Sequence, residues 1–187
     1  GDVPMTVDTI IPIGSTTKQF TAAAILQLRD AGKLSLDDEI TKWLPDFDTR
    51  GNRLTLRHLL GHTSGIRDLV TMPELRAIRL IRNPTVTLED VYKVVLRHPF
   101  QFPAGTMQTY SNTNFWLLGL VIEKASGMAY KDYVETKIFK PLGMTRSMYC
   151  NTSGDVPNRA RGYFMRDGVS RRVPDIVHTG TYAAGAL

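Results

Sequence analysis

Apolar residues recur at intervals of three to four positions along the first three quarters of the chain, and this periodicity predicts a series of helices. Good helix formers such as Ala24 and Leu28 fill the first helix, and Gly32 is its stop signal. The most apolar helix is followed by Gly127. The predicted helices span 16–31, Ser35 to near Pro45, a segment opening at Thr55, 73–82, a segment capped by Thr87 and Asp90, 112–125, and a segment marked by Tyr130 to Ile138.

After Pro141 the pattern changes, because glycines and prolines divide the chain into short pieces. Residues 161–165 and 169–173 can pair as a hairpin around Arg166-Asp167-Gly168, which has the composition of a tight turn. Strand material is otherwise scarce. The pattern therefore predicts a mainly helical chain with a small amount of sheet.

Length, charge and cysteine content exclude several classes of protein. The chain has 187 residues, of which 42% are hydrophobic and 22% charged, as in ordinary globular proteins. Its best apolar run, Phe115 to Ile122, is far shorter than the roughly 20 residues of a transmembrane helix, so we expect no transmembrane segment. The net charge of +5 comes from basic residues spread along the chain, which argues against a nucleic-acid partner. The single cysteine, Cys150, excludes an internal disulfide framework and a multi-cysteine zinc site.

A serine and a lysine stand together at the predicted start of the first helix. Ser15 and Lys18 are three positions apart, about one helical turn, so their side chains project from the same face. A serine hydroxyl is a poor nucleophile until a neighbouring group removes its proton, and a lysine held close can do so. The pair is therefore a candidate nucleophile and base.

A second candidate segment is Tyr110-Ser111-Asn112, just before the most apolar helix. A phenol beside a lysine cation can relay a proton, and Asn112 offers both a donor and an acceptor to an amide-bearing substrate. Tyr149-Cys150-Asn151 repeats the pattern, but it lacks the Pro103-Ala104-Gly105 lead-in and the following helix. We interpret that second copy as accidental.

Four segments occur in one order along the chain. They are Ile13-Gly14-Ser15-Thr16-Thr17-Lys18-Gln19-Phe20-Thr21, Arg57-His58-Leu59-Leu60-Gly61-His62-Thr63-Ser64-Gly65, Tyr110-Ser111-Asn112 and Pro141-Leu142-Gly143-Met144. Together they resemble the serine β-lactamase and penicillin-binding D,D-peptidase superfamily, in particular the branch of class C β-lactamases, D-alanyl-D-alanine carboxypeptidases and family VIII esterases. The resemblance runs from about Met5 to Leu187.

This resemblance implies an acyl-transfer site. Ser15 would be the nucleophile that forms an acyl-enzyme, and its backbone N–H would be one oxyanion donor. Lys18 would orient and deprotonate Ser15, Tyr110 would pass a proton to the leaving group, and Asn112 would contact the substrate amide. The implied partner is a small-molecule or peptidoglycan-peptide-like substrate, with no metal or organic cofactor. Enzymes of this kind act outside the cytoplasm, so the resemblance also implies export.

The implied fold class is α+β, with a helical domain beside an α/β sandwich. Residues 1–34 would be the nucleophile-helix segment of the sandwich, 35–145 the helical domain, and 146–187 an irregular, short-strand segment leading back to the sandwich. The superfamily has a third motif, Lys-Thr-Gly or a variant, on a strand that lines the site. No Lys-Thr-Gly is present, and we interpret His178-Thr179-Gly180 as preceding that strand. We therefore expect a partial chain that supplies mostly the helical part.

Other interpretations stay open. The chain could be a non-catalytic relative or an inactive fragment that binds a peptide-like ligand or a partner protein. A Ser-His-Asp hydrolase is disfavoured, because Gly61-His62-Thr63-Ser64-Gly65 has its serine one place late for a Gly-x-Ser-x-Gly elbow. His58 and His62 are predicted to serve packing and turn hydrogen bonds. β-Lactamase, D,D-peptidase and esterase activities remain alternatives, and so does the oligomeric state.

Overall fold

Most helices lie where the sequence pattern predicts them. The computed structural model describes residues 4–150, 156–174, 176 and 178–187. Its helices are α1 (Thr17–Asp30), α2 (Leu56–Leu60), α3 (Pro73–Ala77), α4 (Leu88–Arg97), α5 (Asn112–Ser126), α6 (Tyr130–Val134) and α7 (His178–Gly185), and its strands are β1 (Tyr163–Arg166) and β2 (Val169–Arg172).

Helix α5 is the centre of the core. Its consecutive residues Trp116, Leu117 and Leu118 are all completely buried, so this part of the helix is covered on every side. Helices α1, α2, α6 and α7 pack against it. Helices α1 and α7 also contact each other, so α1, α5 and α7 form a group in which each helix packs against the other two.

The predicted caps are confirmed. Thr55 and Thr87 each accept a backbone N–H of the first turn of α2 and α4, and His58 and Asp90 complete the two capping boxes. Gly127 ends α5 in the left-handed conformation, at φ 71°, as a glycine stop requires.

The helix predicted from Ser35 to near Pro45 is wrong. Only the single 3-10 turn Ile40–Lys42 forms there. The Asp38 carboxylate does accept the Ser35 N–H, but the backbone then bonds across to another segment instead of to itself: the Ile40 N–H donates to the Leu54 carbonyl. This pairing removes the carbonyl and amide groups that a continuing helix would use.

Two other predicted helices are interrupted. The helix predicted over 73–82 ends at Ala77, because Arg79 adopts a left-handed conformation at φ 53° before the 3-10 turn Leu80–Arg82. That reversal lets Leu80 point inward, where it is 4% exposed. The segment from Tyr130 is helical as predicted, but α6 continues as a π-helical turn, Glu135–Phe139.

The predicted hairpin is confirmed. Strands β1 and β2 are antiparallel, with Arg166 opposite Val169. Asp167 and Gly168 both have positive φ, 52° and 74°, which is the geometry of a type I′ turn. A mainly helical chain with one two-stranded antiparallel sheet agrees with the predicted α+β class. Among the described residues, no helix has the length and apolar character needed to cross a bilayer.

Candidate active site

Ser15 lies in the 3-10 turn Gly14–Thr16 that leads directly into α1. Gly14 has φ 52°, so the chain enters the turn through a conformation that glycine adopts without strain. The Ser15 side chain is exposed, whereas Lys18, one turn later, is only 8% exposed. The Lys18 Nζ lies 3.1 Å from the Ser15 Oγ, so the predicted pair is in hydrogen-bond contact.

The structure brings Tyr110 and Asn112 to the same place. The Tyr110 hydroxyl oxygen is 2.8 Å from the Ser15 Oγ, although the two residues are 95 positions apart. Asn112 is the first residue of α5, and its Oδ1 accepts from Lys18 Nζ at 2.8 Å and from the Tyr110 hydroxyl at 3.3 Å. All four residues predicted from the sequence therefore form one hydrogen-bonded cluster between the beginnings of α1 and α5.

Lys18 has three hydrogen-bond acceptors. They are the Ser15 Oγ, the Asn112 Oδ1 and the Ala184 carbonyl, which is 2.8 Å from Nζ. An ammonium group has three N–H donors, so a buried lysine cation is fully satisfied here. The Tyr110 ring lies 4.9 Å from Nζ and adds a cation–π contact. Two of the N–H donors of Lys18 bind Asn112 and Ala184, so the third points at the Ser15 Oγ.

The last turn of α7, which follows a break in the helix, supplies the third acceptor. Tyr182 has φ 37° and ψ −132°, which interrupts the regular helix. Just after this break the Ala183 carbonyl accepts the Thr21 hydroxyl at 2.6 Å, and the Ala184 carbonyl accepts Lys18. Both residues belong to the last turn of α7, where backbone carbonyls have no partner within the helix, so the two carbonyls are available to α1.

The ring of His62 packs against the ring of Tyr110. Its ring is 4.6 Å from the Tyr110 ring and 5.2 Å from the Phe115 ring, and its Nδ1 accepts the Ser111 N–H at 3.2 Å. Burial lowers the pKa of the imidazole, and the Lys18 cation lowers it further, so the neutral ring is favoured. The predicted packing and hydrogen-bonding roles are confirmed for His62, and also for His58, in the α2 capping box. The sequence did not indicate that His62 would support Tyr110.

Asp68 is a neighbour of the site that the sequence did not reveal. The Asn112 Nδ2 donates to its two carboxylate oxygens at 3.0 and 3.4 Å. The residues are 44 positions apart, and no local spacing pattern links them. Its only signal in the sequence is its place three residues after the segment 57–65.

A cavity of about 570 Å³ opens beside Ser15 and Asn112. Apolar side chains such as Val70, Ile81 and Val173 form much of its lining. Its volume falls within the range of small-molecule sites. In the part of the chain that the structure describes, no group of three or more His, Cys, Asp or Glu side chains is arranged to bind a metal.

The remaining candidate segments lie elsewhere in the fold. His178 begins α7, so His178-Thr179-Gly180 is part of a helix and not of a strand, which agrees with its interpretation as a segment that precedes the third-motif strand. The Thr179 carbonyl accepts the indole N–H of Trp116 at 3.1 Å. Tyr149 of the second Tyr-x-Asn is partly buried with its ring 6.1 Å from Tyr130, and Asn151 lies outside the described residues.

Comparison with known proteins gives a consistent result. A family model described as Beta-lactamase matches residues 1–187. A curated penicillin-binding protein of Bacillus subtilis (strain 168) is 35% identical over 150 residues, which are 79% of this chain and 32% of that protein.

Two solved structures share the fold. A D-stereospecific amidohydrolase from Streptomyces sp. has a TM-score of 0.82 and 34% identity, covering 94% of this chain and 55% of that chain. A D-amino acid amidase from Ochrobactrum anthropi SV3, complexed with L-phenylalanine, has a TM-score of 0.83 and 32% identity, covering 99% of this chain and 52% of that chain. The chain thus spans about a third of the curated relative and about half of each solved chain.

Proposed function

Because the chain belongs to the beta-lactamase family, whose members include serine hydrolases, we propose that it is the part of a serine hydrolase that becomes acylated on Ser15. The observation that carries the proposal is the hydrogen-bonded cluster of Ser15, Lys18, Tyr110 and Asn112, two of whose members, Ser15 and Asn112, line the cavity. A nucleophile in contact with two proton-transfer groups is the arrangement that nucleophilic catalysis needs.

In the proposed reaction the Ser15 Oγ attacks the substrate carbonyl carbon, and its proton passes to Lys18 or Tyr110. When Lys18 is neutral, Asn112 and Ala184 accept its two hydrogens, and its lone pair faces Ser15. As the C–N or C–O bond breaks, Tyr110 gives its own proton to the leaving nitrogen or oxygen and takes up the proton that Ser15 released, so Lys18 and Tyr110 both end in their starting states. The amine or alcohol then departs, except in a β-lactam, where the amine stays attached through the opened ring. Water hydrolyses the acyl-enzyme and restores the Ser15 hydroxyl. The Ser15 backbone N–H is the proposed donor to the oxyanion.

The proposed substrates are β-lactams, D-Ala-D-Ala-type peptides or esters. The names of the relatives support an amide or β-lactam, since they include penicillin-binding proteins and D-stereospecific amidases. Within the whole protein, we propose that residues 1–34 and 146–187 belong to an α/β sandwich and residues 35–145 to a helical domain. A non-catalytic relative that binds a peptide-like ligand is the alternative that the experiment must exclude.

A fluorescent penicillin and a fluorophosphonate test the proposal. The folded protein should gain one covalent adduct, which intact-mass and peptide mass spectrometry place on Ser15. Ser15→Ala should abolish labelling, whereas Ser170→Ala, which changes an exposed serine of β2, should label like the wild type. Lys18→Ala and Tyr110→Phe should each slow acylation about 10²-fold or more, as loss of a general acid or base does. The absence of an adduct on the folded protein would refute the catalytic proposal and favour the binding alternative.

A further inference from the structure

We propose that Asp68 is a positioning residue that fixes the orientation of the Asn112 side chain. The Asp68 carboxylate accepts the Asn112 Nδ2 on the side of the amide that faces away from Lys18. This role lies outside the four-residue cluster, and its kinetic consequence rests on the proposed function. Its structural consequence does not, so the two can be tested separately.

The chemistry of the two neighbours determines which way the amide points. An asparagine amide can rotate by half a turn, which exchanges an acceptor for a donor at almost no change in shape. An ionised carboxylate only accepts hydrogen bonds, so Asp68 requires the NH₂ group on its side. The Asn112 Oδ1 is then left facing Lys18 and Tyr110, as observed. The rotated amide would place its oxygen against the carboxylate and its NH₂ against the lysine, so both contacts would be lost.

Asp68 is itself held in place before any substrate arrives. Its Oδ1 accepts the Val70 N–H at 3.2 Å, which caps the short turn Leu69–Thr71. The neighbouring backbone is tied to α5 by Thr113, whose hydroxyl accepts the Leu69 N–H and donates to the Arg67 carbonyl, both at 2.7 Å. Because Thr113 directly follows Asn112, these bonds fix the separation between the carboxylate and the amide. A supporting group is effective only when it is held rigidly in this way.

The consequence for Ser15 passes through Lys18. Asn112 supplies one of the three acceptors that determine where Nζ points, and the others are Ala184 and Ser15. If the amide rotated, Nζ would lose that acceptor and would no longer be directed at the Ser15 Oγ. We therefore expect loss of Asp68 to slow acylation even though Asp68 does not touch the substrate's reacting atoms.

The structural part is tested by NMR of the side-chain amide groups. Asp68→Ser keeps a short side chain that can still cap the Leu69–Thr71 turn but is too short to reach Asn112. In this variant the Asn112 NH₂ signals should shift and should exchange with solvent at least about tenfold faster, because a hydrogen bond to a carboxylate is lost. Asn114, whose Oδ1 accepts from Ser64, is the matched control, and its signals should not change. Unchanged Asn112 signals would overturn the proposal.

The kinetic part is tested by exchanging the two groups. Asp68→Ser should slow fluorescent-penicillin acylation about 10- to 100-fold, and Asn112→Asp alone should also be slow, because it sets two carboxylates against each other. The double variant D68N/N112D restores one amide and one carboxylate, with an oxygen again facing Lys18. It should recover at least about tenfold relative to Asn112→Asp.

The outcomes separate this proposal from the proposed function. If the double variant folds, as judged by its melting temperature, and recovers nothing, the positioning role is overturned. If the wild type forms no adduct, the proposed function fails, while the NMR comparison still decides whether Asp68 orients Asn112.

Discussion

Gly119 lies in the middle of α5, where a single added methyl group should push α7 away and so disturb its contact with Lys18. A Cβ there would overlap Tyr182 Cε1 and would lie 2.6 Å from Ala183 Cβ, both closer than real carbon contacts. The Tyr182 ring cannot easily turn aside, because it packs against the rings of Trp116 and Tyr130. Gly119→Ala therefore requires α7 to move away from α5 by about 1 Å to reach an ordinary van der Waals distance.

Two opposing contributions decide whether Gly119→Ala raises or lowers the free energy of unfolding. Alanine in place of glycine inside a helix stabilises by about 1 kcal/mol. Overpacking a core costs about 1–3 kcal/mol, and the upper part of that range applies because the backbone-fixed Ala183 Cβ is one of the two contacts. We expect a net loss of about 1–2 kcal/mol in the free energy of unfolding. For a chain of this length that corresponds to a melting temperature lower by about 2–8 °C.

The same movement should weaken the site. The bond from Lys18 Nζ to the Ala184 carbonyl is 2.8 Å long, and a retreat of about 1 Å would take it beyond hydrogen-bond range. Acylation of Ser15 should therefore slow together with the loss of stability.

Calorimetry or circular dichroism measures the melting temperature, and Gly162→Ala is the matched control. A Cβ on Gly162 would meet Val173 at 3.5 Å, an ordinary contact, so that variant should melt at or slightly above the wild-type temperature. If Gly119→Ala melted as high as the wild type, the close approach of α5 and α7 would be refuted.

Two further predictions concern the buried polar groups around the site. Because the pKa of His62 is lowered in the folded state, the unfolded chain binds a proton at this residue more readily than the folded chain does. The contribution of His62 to stability is therefore present above pH 6.5, the ordinary pKa of histidine, and is lost as the pH falls below that value. Melting temperatures between pH 8 and pH 5 should fall more for the wild type than for His62→Gln, and equal falls would contradict the assignment. Thr21→Val should lower the unfolding free energy by about 1–3 kcal/mol in urea, because the Tyr130 hydroxyl and the Ala183 carbonyl both lose a buried partner. Adding Tyr130→Phe should cost less in this variant than in the wild type, and full additivity would argue against the shared hydrogen bonds.

Local signals in the sequence were enough to predict much of the fold. The helix start at Thr55, the Thr87–Asp90 cap, the glycine stop at Gly127 and the Asp167-Gly168 turn each depend on residues within a few positions of one another. The predictions failed where distant contacts override local preference. After Ser35 the backbone bonds to the segment at Leu54, and at Arg79 the chain reverses so that Leu80 reaches the core.

The sequence by itself indicated the composition of the cluster at Ser15: Ser15 and Lys18 share a helical face, Tyr110 and Asn112 share one short segment, and the resemblance to a known family implied that the two pairs form one site. Tertiary structure alone decided its geometry. The packing of α1, α5 and α7 brings together groups that lie 94 to 166 positions apart, and it adds the Ala184 carbonyl, which has no side-chain signature. Asp68 and His62 belong to the site for the same reason. The carboxylate of Asp68 contacts the Asn112 amide and the ring of His62 contacts the Tyr110 ring, and only the packed chain brings these groups together.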